Sequence, residues 1–382
     1  MADKLASRAQ PLSEPLQGHI GWVEASGLLL ITLLSKVFLI YPVRMAMDGQ
    51  TAAWSLPILS GMLSAIWLLP LSAVLSNHPG QGIIEITRAL LGKFLAFLFG
   101  ILYYVSQLAL IALSASEISD ALTGVMLPRT PRAFLLTAGL AIALYLATKG
   151  LETVARMSVP LTVVVILYLI ATSALSLNQW NADSVFPLLG PGAIRLAKSA
   201  VVRQYMYGEI LSLGILAPYL QEPKQAGRIA WGCTLVSGAV FILVVLTCQM
   251  VFPYPTLSHA VEPVLRVTRL IYLGRFFQRF DAILSPIWLS TATLRVAAGI
   301  ALLSTALSAV TSIKSLGVLM ALTAAATGVL AAMVPDMATN MILSFDVVRP
   351  YSVILLMAWP IALWIADKAK RPADRPGRRL RQ

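Results

Sequence analysis

Apolar residues run along this chain in blocks of about 20, the length that crosses a bilayer core as one helix, and short polar or charged stretches separate them. Ten such blocks are read, near 22–43, 53–75, 94–117, 133–148, 157–176, 200–220, 229–252, 281–304, 316–334 and 350–367. They are called spans 1 to 10 below. The pattern predicts an all-α integral membrane protein of about ten transmembrane helices. Span 4 is short, and spans 6 and 8 are interrupted by charge. Two links carry a helical apolar stripe of their own. In Gly80–Lys93, Ile83, Ile84, Ile86, Leu90 and Leu91 fall largely on one side, with Glu85 and Arg88 elsewhere. In Glu262–Phe280, Val264, Leu265, Leu270, Ile271 and Phe276 do the same. Both stripes suit helices lying at the membrane interface.

Three charged residues interrupt the spans, where a charge costs on the order of 2.5–3.5 kcal/mol unless it meets a cavity, a partner or a ligand. Lys36 lies two-thirds along span 1, in "LLITLLSKVFLIYP". It either faces inward to a partner or ligand, or snorkels toward the interface near Pro42. Glu209 stands in "RQYMYGEILSLGILAPYL" beside Gly208 and ahead of Gly214 and Pro218. A site role, a pairing with Lys36 or Arg295, and an interfacial carboxylate are all open for it. Arg295 is deep in span 8 and keeps its proton, so it must meet a partner or water. Tyr103, Tyr104 and Trp288 are lining candidates or packing residues. Spans 1 and 6 share one pattern, small or polar residues in mid-span and a proline near the end. Unusual segments at matching places of two halves point to a transporter's binding site.

Composition sharpens the class. Of 382 residues, 58% are hydrophobic and 12% charged, roughly half the charge of a soluble domain. No soluble module, phosphate-binding loop, metal-ligand spacing or nucleophile–base motif is visible, so the sequence predicts no enzyme, no catalytic residue, no cofactor and no metal. The N-terminal segment 1–20 has no apolar core of the signal-peptide kind, leaving span 1 to target the chain. The net charge of +12 does not read as nucleic-acid binding, because the 368–382 tail alone holds seven Lys/Arg. A basic tail after a last span is a topology signal, and it also suits anionic lipid headgroups. With ten spans and both termini inside, the inner segments hold 16 Lys/Arg against 10 in the outer links, so both termini are expected in the cytoplasm. Cys233 and Cys248 sit on one span, about 22 Å apart along a helix, beyond disulfide reach. His19, His78 and His259 are scattered near span ends.

Several local patterns, in this order, carry a family resemblance: "FLIYP" ending span 1, "EITRALLGK" after span 2, "GLETVARMSVPL" before span 5, "YGEILSLGILAPYLQEP" in span 6 and "GRFFQRFDAILSPIWL" leading into span 8. From about Gly21 to Asp367 the chain resembles the B subunits of bacterial spore germinant receptors, the GerAB-type endospore germination permeases of the amino acid/polyamine/organocation superfamily. The resemblance implies a leucine-transporter-like fold in one permease-like domain, 21–367. Two inverted five-helix repeats, about 21–176 and 200–367, would carry broken helices 1 and 6. It implies a small germinant, an amino acid, as ligand. It also implies A-type and C-type receptor subunits as partners in the spore inner membrane. Many relatives have "G-x-G-I-L" midway along span 1, where this chain has "SKVF". Lys36 then meets a ligand carboxylate, takes the place of a coupling cation, or pairs with Glu209. The candidate ligand-binding set is Ser35, Lys36, Val37, Tyr103, Tyr104, Gly208, Glu209, Ser212 and Arg295. The alternative reading is a stand-alone secondary amino acid transporter of the same superfamily.

Overall fold

The computed structural model describes residues 20–38, 40–272 and 280–370. The N-terminal segment before residue 20, most of the basic tail, His19 and Phe276 lie outside the described residues. The described chain is helical, with a single isolated bridge between Ile20 and Leu220.

Eight spans are continuous or nearly so. They are Leu56–Asn77, Lys93–Ala121, Arg132–Thr148, Leu151–Leu175, Ala226–Val251, Asp281–Thr311, Leu316–Ala332 and the stretch Met337–Lys370. Six helical segments are long and apolar enough to cross a membrane, and the helices of spans 4 and 9 are shorter apolar ones. The remaining two, spans 1 and 6, escape a length criterion because each is broken in the middle.

Span 1 runs as a helix over Trp22–Leu34, tightens to a 3-10 turn over Ser35–Val37 and resumes over Tyr41–Gly49. Pro42 is the local cause. It has no N–H to give, and its ring collides with the carbonyl four residues back, so the helix cannot pass unbroken through 38–42. Thr32 and Ser35 add to this by donating to Leu29 O at 2.8 Å and to Thr32 O at 3.0 Å. Side chains that bond back to their own helix compete with its regular ladder. Span 6 begins as a helix over Ala193–Arg203, becomes a nine-residue 3-10 stretch over Gln204–Ser212, and ends through Leu213–Leu216 and Ala217–Tyr219. Runs of 3-10 helix beyond 3–4 residues are uncommon and mark a hinge or strain. The sequence placed the start of this span near 200, so its first helical turns were missed. Helices of spans 5 and 8 likewise extend beyond the apolar block, by including polar ends that still bond helically.

The two broken spans sit side by side in the core. Ile20 N donates to Tyr219 O at 3.1 Å and Gln221 N donates to Ile20 O at 3.0 Å, a local parallel bridge that sets the start of one span beside the end of the other. Span 1 also packs on span 5 through Gly27, where the helix backbones nearly touch. Thr162 Oγ1 reaches Gly27 O at 3.2 Å.

The first amphipathic link is a helix, Ile83–Leu91. Ile83, Ile84 and Ile86 are buried while Glu85 and Arg88 are exposed, as the stripe predicts. In the second link, whose residues 273–279 lie outside the described residues, a helix covers Pro263–Arg269. Val264, Leu265 and Ile271 are buried, but Leu270 is 45% exposed and departs from the expected stripe. Leu270 falls just past the end of that helix, where the helical repeat no longer sets its direction. Cys233 and Cys248 are both buried and unpaired.

A Cβ on Gly27 would lie 2.9 Å from Val159 Cγ2 and 3.1 Å from the Val159 backbone. Gly27→Leu is therefore expected to lower the thermal midpoint in detergent, at a cost of about 1–3 kcal/mol for overpacking. Gly139→Ala in span 4, where a Cβ would have no heavy atom within 4 Å, is the control and should leave the midpoint unchanged or slightly raised. Equal midpoints for both variants would contradict the close packing of spans 1 and 5.

Candidate functional site

The breaks of spans 1 and 6 face each other, and their side chains meet. The tightened turn at Ser35–Val37 aims Lys36 across the gap. Its Nζ donates to Glu209 Oε2 at 2.7 Å and to the backbone carbonyl of Met206 at 2.7 Å. That carbonyl belongs to the 3-10 stretch of span 6. Arg295 enters from span 8 and completes the cluster. Its Nη2 is 3.4 Å from Glu209 Oε1, and its Nη1 donates to Ser35 Oγ at 3.1 Å. A continuous chain of polar contacts thus runs from Thr32 O through Ser35, Arg295, Glu209 and Lys36 to Met206 O. The Lys36 side chain is 3% exposed and that of Glu209 13% exposed. Of the alternatives open for these residues, the structure forms the pairing of Lys36 with Glu209, with the lysine turned inward. Lys36 also stands 5.9 Å over the Phe241 ring of span 7.

Tyr103 and Ser212 share a hydrogen bond of 2.9 Å, tying span 3 to the end of the 3-10 stretch. Gly208 lies beside Glu209, and a Cβ there would make only ordinary contact with Leu356. Val37 is fully buried, and Trp288 is buried in the core. Tyr104 does not join the cluster. One residue on from Tyr103 on the same helix, it turns away and its hydroxyl pairs with Thr323 of span 9 at 3.1 Å.

Beside the cluster is a cleft lined by Tyr103, Ser106, Gln107, Gly208, Glu209 and Arg349, among others. At the end of the bundle where span 1 finishes, two ion pairs form a seam. Arg203 of span 6 pairs with Asp48 of span 1, and Arg44 of span 1 with Asp346 at the head of span 10. Arg203 also donates to Tyr205 OH at 2.7 Å and approaches Phe345 O at 3.4 Å. Sequence reading missed this seam and Arg349, because it began span 10 near 350 and left both Asp346 and Arg349 in a link. The apolar run "MILSFDVV" was the available signal. It forms the helix Met337–Ile342 and a π turn over Leu343–Val348 that continue the span.

Among the described residues no group of three or more His, Cys, Asp or Glu is assembled as a metal site.

Comparison with known proteins agrees with this architecture. A family model described as "Spore germination protein" matches residues 19–341. The chain is 26% identical to spore germination protein YndE of Bacillus subtilis over 243 residues, 62% of this chain and 65% of that protein. It is 22% identical to spore germination protein B2 of the same organism over 270 residues, 67% of this chain and 70% of that one. The match thus covers about two-thirds of each relative. Among solved structures, the nucleobase-cation-symport-1 family transporter Mhp1, closed with bromovinylhydantoin bound, superposes with a TM-score of 0.63 at 15% identity, covering 93% of this chain and 79% of that one. A manganese transporter mutant from Eremococcus coleocola superposes with a TM-score of 0.56 at 14% identity, over 94% and 89%. These likenesses establish the leucine-transporter-like fold, with ten spans in a 5+5 inverted repeat and breaks in spans 1 and 6.

Removing one partner of a buried ion pair leaves the other charge uncompensated, at about 3–5 kcal/mol. Lys36→Met and Glu209→Gln are each expected to destabilise the purified protein by that order. The double variant should cost clearly less than the sum, as contacting residues do. A thermal-unfolding double-mutant cycle measures this, and strict additivity would show that the pair is not coupled.

Proposed function

We propose, from the premise that this chain belongs to the spore germination protein family, that it is the permease-like subunit of a spore germinant receptor. A small germinant, an amino acid, binds among spans 1, 3, 6 and 8, and its binding triggers germination. The observation that carries this reading is the contact of Lys36 with Glu209 and Met206 O across the two helix breaks. A charged ligand entering the breaks competes for those groups. Each contact it replaces changes how span 1 sits against span 6, and an interaction that differs between two packings shifts the population between them. Ser35, Lys36, Val37, Tyr103, Gly208, Glu209, Ser212 and Arg295 form or support this site. Tyr104, whose hydroxyl is committed to span 9, has a packing role.

In this reading the chain is one permease-like domain over 21–367, with repeats near 21–176 and 200–367. It sits in the spore inner membrane with both termini in the cytoplasm, and A-type and C-type receptor subunits read its packing. A second reading, a stand-alone secondary amino acid transporter, draws on the fold shared with solved transporters.

The test is germination of spores carrying Lys36→Met or Glu209→Gln, with protein abundance measured in the spore membrane. Loss of the amino acid response at normal abundance is expected. An unchanged response would remove the cluster from the germinant site. Reconstitution alone in proteoliposomes separates the two readings. The receptor reading expects no uptake, whereas sustained amino acid uptake without partner subunits supports the transporter.

A further inference from the structure

Among the described residues the buried cations are matched with carboxylates, with one exception. Lys36 and Arg295 share Glu209, and Arg203 has Asp48. Arg349 of span 10 is 4% exposed, yet it forms no ion pair among the described residues. Its Nε donates to Ser344 Oγ at 2.8 Å. Its guanidinium is flanked by two rings, with Cζ 4.8 Å from the Phe345 centroid and 5.4 Å from that of Tyr205. These contacts fix the plane of the group and leave both terminal nitrogens without an acceptor among the described residues. Neither nitrogen is among the sealed, unsatisfied polar atoms of the interior, and Arg349 lines the cleft beside Glu209. The guanidinium therefore presents its fork to that cleft.

The walls around it are polar where a ligand would need them. Ser106 and Gln107 of span 3 and Ser352 of span 10 line the same cleft; the two hydroxyls donate to Tyr103 O at 3.0 Å and Arg349 O at 2.6 Å, whereas the Gln107 amide makes no hydrogen bond among the described residues. Arg349 lies within electrostatic range of Lys36, Arg295, Glu209 and Glu117. Glu117 of span 3 forms no hydrogen bond or ion pair with either arginine. Three formal cations face two carboxylates there. Of the three cations, Arg349 is the one with no contact anion among the described residues, in a membrane interior where uncompensated charge is costly.

We propose that Arg349, with the Gln107 amide, forms an anion site that receives the carboxylate of a small organic ligand in the cleft between spans 3, 6 and 10. The planar fork of arginine matches a carboxylate with two parallel hydrogen bonds. The site rests on the reading that a small amino acid binds in this bundle, and it assigns the ligand's carboxylate to span 10 instead of to Lys36. The ligand's ammonium is then the group that competes with Lys36 for Glu209, which lines the same cleft.

The test uses the purified full chain in lipid nanodiscs and a thermal-shift titration. The probes are an equimolar mixture of the L-amino acids and the matching mixture of their α-carboxamides. The wild-type chain is expected to be stabilised by the acids, with the amides about tenfold weaker or worse, the scale of losing a charge-assisted hydrogen bond. Arg349→Gln should weaken the acids by about the same factor and abolish the preference over amides. Arg349→Lys keeps the charge without the fork, so it should weaken the acids yet preserve the preference. Gln107→Leu carries the same comparison if Arg349→Gln does not fold. Equal affinity for acids and amides in the wild type, or unchanged acid affinity in Arg349→Gln, overturns the site and leaves ligand binding standing. No stabilisation of the wild type by either mixture defeats the ligand reading itself, and the site with it.

Discussion

The contact between Lys36 and Glu209 ties together the two places where this bundle gives up regular helix. A helix that breaks inside a membrane exposes backbone groups that lipid cannot satisfy, so the break must be buried in protein or line a cavity. Here one lysine answers part of that need in each direction. It neutralises the carboxylate of span 6 and occupies the free carbonyl of Met206 in the same 3-10 stretch. Arg295 then holds both sides, reaching Ser35 at one break and Glu209 at the other. Neither span could keep its irregular backbone in this setting without the other.

That tie gives the bundle a defined place to respond. Spans 1 and 6 are held at the Lys36–Glu209–Arg295 cluster and, one level away, at the seam of Arg203–Asp48 and Arg44–Asp346. The rest of the core is packed apolar helix, which tolerates little continuous deformation. Movement is therefore concentrated where contacts are polar and exchangeable. The cleft with Arg349 is lined by Glu209 of the cluster and by Tyr205, whose hydroxyl accepts from Arg203 of the seam, so an anion arriving there would meet groups tied to both.

The family likeness fits this logic. Spore germination proteins and transporters of the Mhp1 type share little sequence with this chain, yet the fold persists over more than nine-tenths of it. What the chain adds is its own charge pattern, a lysine in the first break that meets a carboxylate in the second.

The number and order of the spans were legible from the sequence, because bilayer thickness sets a length for each apolar block. So was the identity of the three intramembrane charges, since a charge in such a block is conspicuous by its cost. The breaks in spans 1 and 6 were partly legible through Pro42, Gly208, Gly214 and Pro218. Which of the alternatives for Lys36 holds was decided only in three dimensions. Lys36 and Glu209 are 173 residues apart, and hydrophobic periodicity carries no information on which helix faces which. The same limit hid Arg349 and Asp346. Their run is too polar at its end to read as membrane, and only packing against spans 1, 3 and 6 draws it inside. Composition fixes how many helices there are and which of them carry charge. Tertiary packing alone pairs those charges, because in a low-dielectric core each must find its partner across the chain or stand open to a ligand.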